Sequence, residues 1–592
     1  MKAELLAPVG NMESLRAALA CGADAVYIGL GEHSARADAG FSREMFYAAV
    51  TQAHAAGVRV YLALNILFTD RELSRALADA ASAAACKADA VIVQDLGLLS
   101  LLREQLPDLP LHASTQMSVQ TAAGLALLQR LGVRRAVLPR ELTRRELAAL
   151  LRASPIECEV FVHGAHCMSV SGQCRLSAAL GGRSGNRGNC AQPCRLPWRI
   201  SGQAGNRFAL SLKDRCCLDE VTAQPLSEAA SLKIEGRRKR PEYVAAAVTA
   251  YRAALDGKPS AVTKQMLREV FSRQGFTNGY TEGSFQKGDA SMFGTRAAED
   301  KASPEVLGFL RGLYKREPIP TPALSAPLPE TPNTALPPLP PPAGPGIKPQ
   351  LWLQTLQPEA LPRDISGITR LFLPWNTPAD TLCCHAKDRE VGITLPGGIF
   401  GNYDRVLSVA RTAKAAGAAY ALCDTLDGVA LAREAGLLAL GGQGLNLHNS
   451  YAFQTAYALG VQAAVCSPEL NAAQIRDLKP AIPAVLVAYG RLPLMLLRAC
   501  PIRAQMGCKA CRNSQSLTDR KGIAFPVRCD GLCAVLYNSR PHYLADKVKL
   551  CARSVSALLI SLTAESQRES ERVLERIRSG NTPEGSFTRG SF

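Results

Sequence analysis

Along the first 240 residues, short apolar runs alternate with longer segments whose apolar positions recur every three to four residues. The runs fall at 4–7, 25–29, 58–64, 90–93, 110–113, 136–138, 159–162, 210–212 and 231–234; segments such as 11–20 and 70–85 carry the helical period. Short apolar runs separated by amphipathic stretches predict buried parallel strands joined by helices. So many successive units predict an α/β fold closed into a (β/α) TIM-like barrel rather than an open sheet. Polar residues punctuate the strand ends: Asn65, Gln94, Asp95, Ser114, Gln116, Arg140, Glu141 and His163. In a barrel such residues face the mouth at the carboxyl ends of the strands, where chemistry sits. The alternative is that they cap the following helices, and for Asp95 and Ser114 the two readings weigh equally.

The pattern breaks at 316–350, where the proline-rich stretch 318–349 can pack as neither helix nor sheet and predicts an extended, semi-rigid linker. The expected order is a barrel with a cysteine cluster over 1–250 and a helical and irregular extension over 251–315. The linker and a divergent second α/β barrel-like domain over 351–592 follow. That second unit repeats the first: 110–142 resembles 444–470, with nine residues from Gly132 to Glu141 and from Gly460 to Glu469. VFVHG at 160–164 matches LVAYG at 486–490, and Cys174 and Cys500 each lie ten residues beyond the closing glycine. Each copy then has a C-x3-C, at Cys190/Cys194 and Cys529/Cys533. Matches in one order point to duplication.

No apolar leader run and no apolar stretch of membrane-spanning length occur, so the expectation is a cytoplasmic protein that avoids membranes. Nineteen cysteines in such a chain argue against a disulfide framework and for metal ligation where they cluster. The first cluster holds Cys167, Cys174, Cys190 and Cys194, with Cys216 and Cys217 further on, among glycines 164, 172, 181, 182, 185 and 188. Thiolates in a loop that can wrap a compact ligand suit iron–sulfur or zinc, which spacing alone does not separate. The second cluster is Cys500, Cys508, Cys511, Cys529 and Cys533, but Pro493 stands where a counterpart of Cys167 would be. A structural zinc, a second iron–sulfur cluster and a relic all remain open there.

The net charge of +17 favours a polyanionic partner, although a merely solubilising surface gives the same number. In SLKIEGRRKRPEYV (231–244) a strand delivers Lys233 and Glu235 to a turn followed by four cations. Arg237, directly after the glycine, is placed to grip a carboxylate or phosphate; Arg238 and Arg240 read as solvated. The chain lacks C-x3-C-x2-C, H-E-x-x-H and G-x-x-x-x-G-K-[ST], which excludes the common radical S-adenosylmethionine, zinc-protease and P-loop signatures.

The pattern E-x-F-x-x-G-A-x-C-x4-G-x-C-x-L-S occurs as Glu159, Phe161, Gly164, Ala165, Cys167, Gly172, Cys174, Leu176 and Ser177. With LAPVGN (6–11), GADAVYIG (22–29), GNRGNCAQPCR (185–195), SLKD (211–214) and LKIEGR (232–237), it resembles the collagenase-like peptidases of unknown catalytic type. The later half is similar to the extra domain of long members through LNLHNS (445–450), YGRLPLM (489–495) and LTDRKGIAFPVRC (517–529). His166 departs from the family, which has an aliphatic residue there. The resemblance implies hydroxylation at carbon 5 of a pyrimidine in RNA, ribosomal cytidine before transfer-RNA uridine, with a 4Fe-4S cluster and prephenate as co-substrate. It implies Cys167, Cys174 and Cys190 as cluster ligands, with Cys216 or Cys194 as the fourth. Arg237, Lys233, Glu235 and His163 are then the candidate catalytic residues at the mouth, and no stable protein partner is expected. A true collagenase-like peptidase and a non-catalytic zinc- and RNA-binding protein are the alternatives.

Overall fold

The computed structural model describes residues 3–31, 40–204, 208–283, 291–294, 302–315, 329–330, 334–343, 349–550, 554–582 and 585–590. Eight parallel strands close the first barrel: β1 Glu4–Val9, β2 Ala25–Leu30, β3 Arg59–Leu64, β4 Ala90–Val93, β5 Leu111–Ala113, β6 Val133–Val137, β7 Glu157–Gly164 and β8 Ser231–Ile234. Closure is by β1, which pairs with β2 (Leu6↔Ala25) and with β8 (Glu4↔Ser231). A second barrel repeats this with β9 Gln350–Thr355, β10 Ile368–Pro374, β11 Glu390–Thr394, β12 Tyr420–Cys423, β13 Leu438–Gly441, β14 Ala464–Val465, β15 Ala484–Gly490 and β16 Ala557–Leu562. The run at 210–212 is not a barrel strand. Leu210 and Leu212 instead join Trp198 in a second core outside the barrel, so burial rather than pairing explains their apolarity.

The duplication extends to irregularities. In both copies the seventh strand carries a register shift against the eighth, and its end accepts one short antiparallel strand, Gly164↔Arg215 and Gly490↔His542. Both copies also make a long excursion between the seventh and eighth strands, over 165–230 and 491–556. These excursions build one sheet in common. Strands Pro493–Leu497, Ala534–Tyr537, Ala524–Cys529 and Ser516–Asp519 come from the second copy, and Trp198–Ile200 from the first adds to their edge (Leu517↔Ile200).

The barrels also pack directly, through two helix pairs related by exchange of the copies. Helix Leu96–Gln105 lies on Ser450–Ala458, and Ala122–Arg130 lies on Leu426–Glu434. Asp95 caps the first helix by accepting from Gly97 and Leu98 and also accepts from the Asn449 amide at 2.9 Å. Asp427 accepts from the backbone N–H groups of Gln120 and Thr121 at 2.9 Å. Capping therefore accounts for Asp95, and it serves the interface as well. Ser114 also caps, accepting from the Gln116 N–H at 3.3 Å.

Most of the 316–350 linker lies outside the described residues. The described parts are held: Arg43 donates to the Pro329 carbonyl, Tyr451 to that of Pro337 and the Ala343 N–H to that of Pro480. Among the described residues no helix is long and apolar enough to cross a membrane.

Candidate functional site

The first barrel's mouth holds a cavity of about 200 Å³. Strand ends supply Asn65, Gln116, Arg140, Glu235 and Arg237, and the excursion after β7 folds over the opening with Cys167, Cys174, Cys190 and Cys194. Gly172 makes that fold possible. At φ +82° its backbone touches β5's loop so closely that a Cβ would stand 1.9 Å from the Gln116 carbonyl oxygen. Strand Pro493–Leu497 braces the same loop: the Val170 N–H donates to Leu496 at 2.8 Å and the Arg175 N–H to Leu494 at 2.7 Å.

The four thiols share a field. Burial raises Cys167 and Cys174, and Cys174 is raised further by its neighbours Cys167 and Cys190. Burial pushes Cys194 up to about 12. Cations face them: Arg140 lies over the Phe161 ring at 4.0 Å and bonds Glu235 at 3.2 Å, while Arg195 donates to the His166 and Leu212 carbonyls. The Gln192 N–H already points at Cys190 Sγ, 3.3 Å away. Soft donors opening on one cavity, opposite cations that offset thiolate charge, fit an iron–sulfur cluster. Among the described residues no three His, Cys, Asp or Glu side chains stand close enough together to hold a single metal ion.

The candidate catalytic residues divide. Arg237, Glu235 and Lys233 line the cavity, with the Arg237 guanidinium 5.6 Å from the Tyr27 ring centre. The Lys233 ammonium is engaged by Glu159 at 2.6 Å, within a buried charge network where Arg135 pairs with Glu4 at 2.7 Å. Burial lowers its pKa, and Glu159 opposes that. His163 does not line the cavity. Its ring sits among Tyr243, Tyr251 and Phe276, with centres 5.5 to 5.7 Å away, and burial pushes its pKa down to about 3. The register shift in β7 turns it toward the helix Pro241–Leu255. Cys216 lies outside the cavity too, buried opposite His163 and 3.8 Å from the Tyr251 hydroxyl.

Sequence reasoning missed Arg273, Asn186 and Arg195 as cavity residues. Arg195 closes the quoted block GNRGNCAQPCR and Asn186 lies within it, so both had a signal. Arg273 had none: it arrives from the 251–315 extension and is fixed by Asp214 at 2.9 Å. In the second cysteine set, Cys533 stands apart, its thiol 3.7 Å from the Gly398 carbonyl.

Paired TIM-like barrels with a cysteine-roofed, arginine-walled mouth define the class of protein. Residues 10–290 match the model of peptidase family U32. The 23S rRNA 5-hydroxycytidine C2501 synthase of Escherichia coli (strain K12) is 35% identical over 299 residues, covering 49% of this chain and 45% of that protein. The tRNA hydroxylation protein P of the same strain is 30% identical over 338 residues, covering 47% of this chain and 74% of that protein. A collagenase of Porphyromonas gingivalis (strain ATCC BAA-308 / W83) is 30% identical over 328 residues, covering 50% and 78%. The chain belongs to peptidase family U32. Its match spans less than half the length of the first of these relatives.

Proposed function

We propose that this protein hydroxylates carbon 5 of a pyrimidine in RNA, ribosomal cytidine before transfer-RNA uridine. It would use a 4Fe-4S cluster held by Cys167, Cys174, Cys190 and Cys194, with prephenate as co-substrate. The observation that carries this reading is the joint lining of one cavity by four cysteines and an arginine wall in a chain whose relatives are named for RNA hydroxylation. When bound, the cluster supplies the redox chemistry that an unassisted side chain lacks.

The chain's own residues do the rest. Arg237 brings a forked guanidinium that suits a carboxylate of prephenate, and Arg140, held by the Ala165 carbonyl and Glu235, adds positive charge beside it. The Asn65 amide donates to the Gln116 side chain at 3.2 Å, and this pair presents donors and acceptors to the edge of a base that has left its stack. Phe161 and Tyr27 form apolar walls that exclude water. The basic surface attracts the RNA backbone.

The peptidase alternative has one relative's name in its favour, the collagenase. Among the described residues, burial raises Cys167, Cys174 and Cys194, holds the cavity's own His166 well below the ordinary histidine value and leaves His163 outside the cavity, a setting that disfavours an activated cysteine. Mass spectrometry of nucleosides from ribosomal and transfer RNA of a deletion strain tests the proposal. Loss of a 5-hydroxypyrimidine, restored by the wild-type chain and not by Cys174→Ser, is expected. Unchanged levels in both RNAs would sink it.

A further inference from the structure

We propose that Cys500, Cys508, Cys511 and Cys529 form a tetrathiolate site for a structural zinc ion, separate from the first barrel's cavity. Three pieces of chain bring them to one corner of the shared sheet. Cys500 precedes helix Pro501–Met506 as its N-cap, Cys508 and Cys511 share the single turn Cys508–Cys511, and Cys529 ends the strand Ala524–Cys529. Asn513, two residues past Cys511, latches the last to the others. Its side-chain oxygen accepts from the Cys529 N–H at 2.6 Å and its amide donates to the Cys529 carbonyl at 3.1 Å. The chain reaches this latch through two left-handed residues, Arg512 at φ 46° and Asn513 at φ 54°. That conformation is unfavourable for a side chain such as arginine and persists only where the surroundings enforce it.

The Gly531 N–H donates to Cys529 Sγ at 3.4 Å, which turns that sulfur toward the loop. Cys500 and Cys511 pack on the core beneath the sheet, whereas Cys508 and Cys529 are exposed and give an ion its entry from solvent. Among the described residues no three donors stand at ligand spacing, so the site would close only as the side chains turn inward on the ion. Four sulfurs with no open position make the closed arrangement of structural zinc. Cys533 is left out because its thiol is occupied against Gly398.

The consequence reaches the first barrel. Cys500 follows strand Pro493–Leu497, and Met495 of that strand bridges to Cys174. Zinc would therefore stiffen the wall against which the first cysteine loop is built.

Metal analysis of the full-length protein, purified without oxygen, tests this. About one zinc per chain is expected, falling below about a tenth in Cys508→Ser and Cys511→Ser but kept in Cys533→Ser and Cys174→Ser. Should the serine variants misfold, wild-type protein loaded with cobalt(II) must show the visible bands of a tetrahedral tetrathiolate. In a folded Cys508→Ser chain, amide exchange at 493–497 and 170–175 should quicken while iron content is unchanged. That last readout separates failure here from failure of the hydroxylase reading. Wild-type protein without zinc and without cobalt bands would overturn the proposal, as would iron in place of zinc or zinc retained in both serine variants.

Discussion

Glu141 shows how a single residue can carry a pH dependence that its position alone does not announce. It is fully buried, neither carboxylate oxygen bonds to another residue, and burial lifts its pKa to about 7 against the pull of Arg140, its own backbone N–H, Arg498 and Arg215. The folded chain therefore holds this proton more tightly than the unfolded chain, whose value is the ordinary 4.5. The cost of ionising it is absent below the unfolded value, grows as pH rises and is complete above the folded one. Glu141→Gln should accordingly raise stability at pH 8 by on the order of 1–3 kcal/mol and change little near pH 4.5, read by urea melts at both. A gain equal at both pH values would refute the assignment. At the same scale, the two candidates for the fourth ligand separate: Cys194→Ser should purify with most iron lost, and Cys216→Ser with iron retained. That cysteines cluster there was legible from spacing within a glycine-rich loop, whereas the particular set Cys167, Cys174 and Cys190 came from the family resemblance. The choice between Cys194 and Cys216 was not legible, because it turns on which side of β7 the returning chain crosses.

At the scale of elements, alternation of apolar runs and helical periods was enough to expose the barrels, since parallel strands buried on both faces leave little else in the pattern. Polar residues at strand ends were ambiguous for a physical reason: a helix cap and a mouth residue need the same side chains at the same place. Asn65, Gln116 and Arg140 went to the mouth, while Asp95 went to a cap that a second barrel shares. The helix pairs expose a further constraint. A Cβ on Gly97 would lie 2.1 Å from the Asn449 side-chain oxygen, and one on Gly124 2.2 Å from that of Asp427. The two glycines thus do the same work on the two sides of the exchange-related interface, letting a helix start approach its partner's cap. Gly97→Ala and Gly124→Ala should each destabilise by roughly 1–3 kcal/mol, although alanine favours an isolated helix. Denaturant midpoints at or above wild type for both would show that the interface does not need this close approach.

Across the whole molecule, the division into two halves joined by a linker describes the sequence better than it describes the packing. The shared sheet takes one strand from the first excursion and four from the second, and its core mixes Leu176, Trp198 and Ile200 with Leu494, Phe525 and Leu536. Arg175, buried beside Cys174, donates to Asn446 of the second barrel at 2.7 Å. Each half therefore completes the surroundings of the first mouth. Nothing in the periodicity could have shown this, because a strand's pairing partner is a long-range property and Trp198–Ile200 is only three residues long. Residues 1–315 expressed alone would leave Trp198, Ile200 and the leucines of Leu96–Gln105 without their covering, an apolar patch of the kind that drives aggregation. That fragment should be insoluble or retain little iron, and co-expression with residues 349–592 should restore both solubility and iron. The comparison is made by sedimentation and metal content of the separate and paired fragments. A soluble, iron-loaded 1–315 fragment would mean that the second barrel is an attachment to a self-sufficient site, rather than one of its walls.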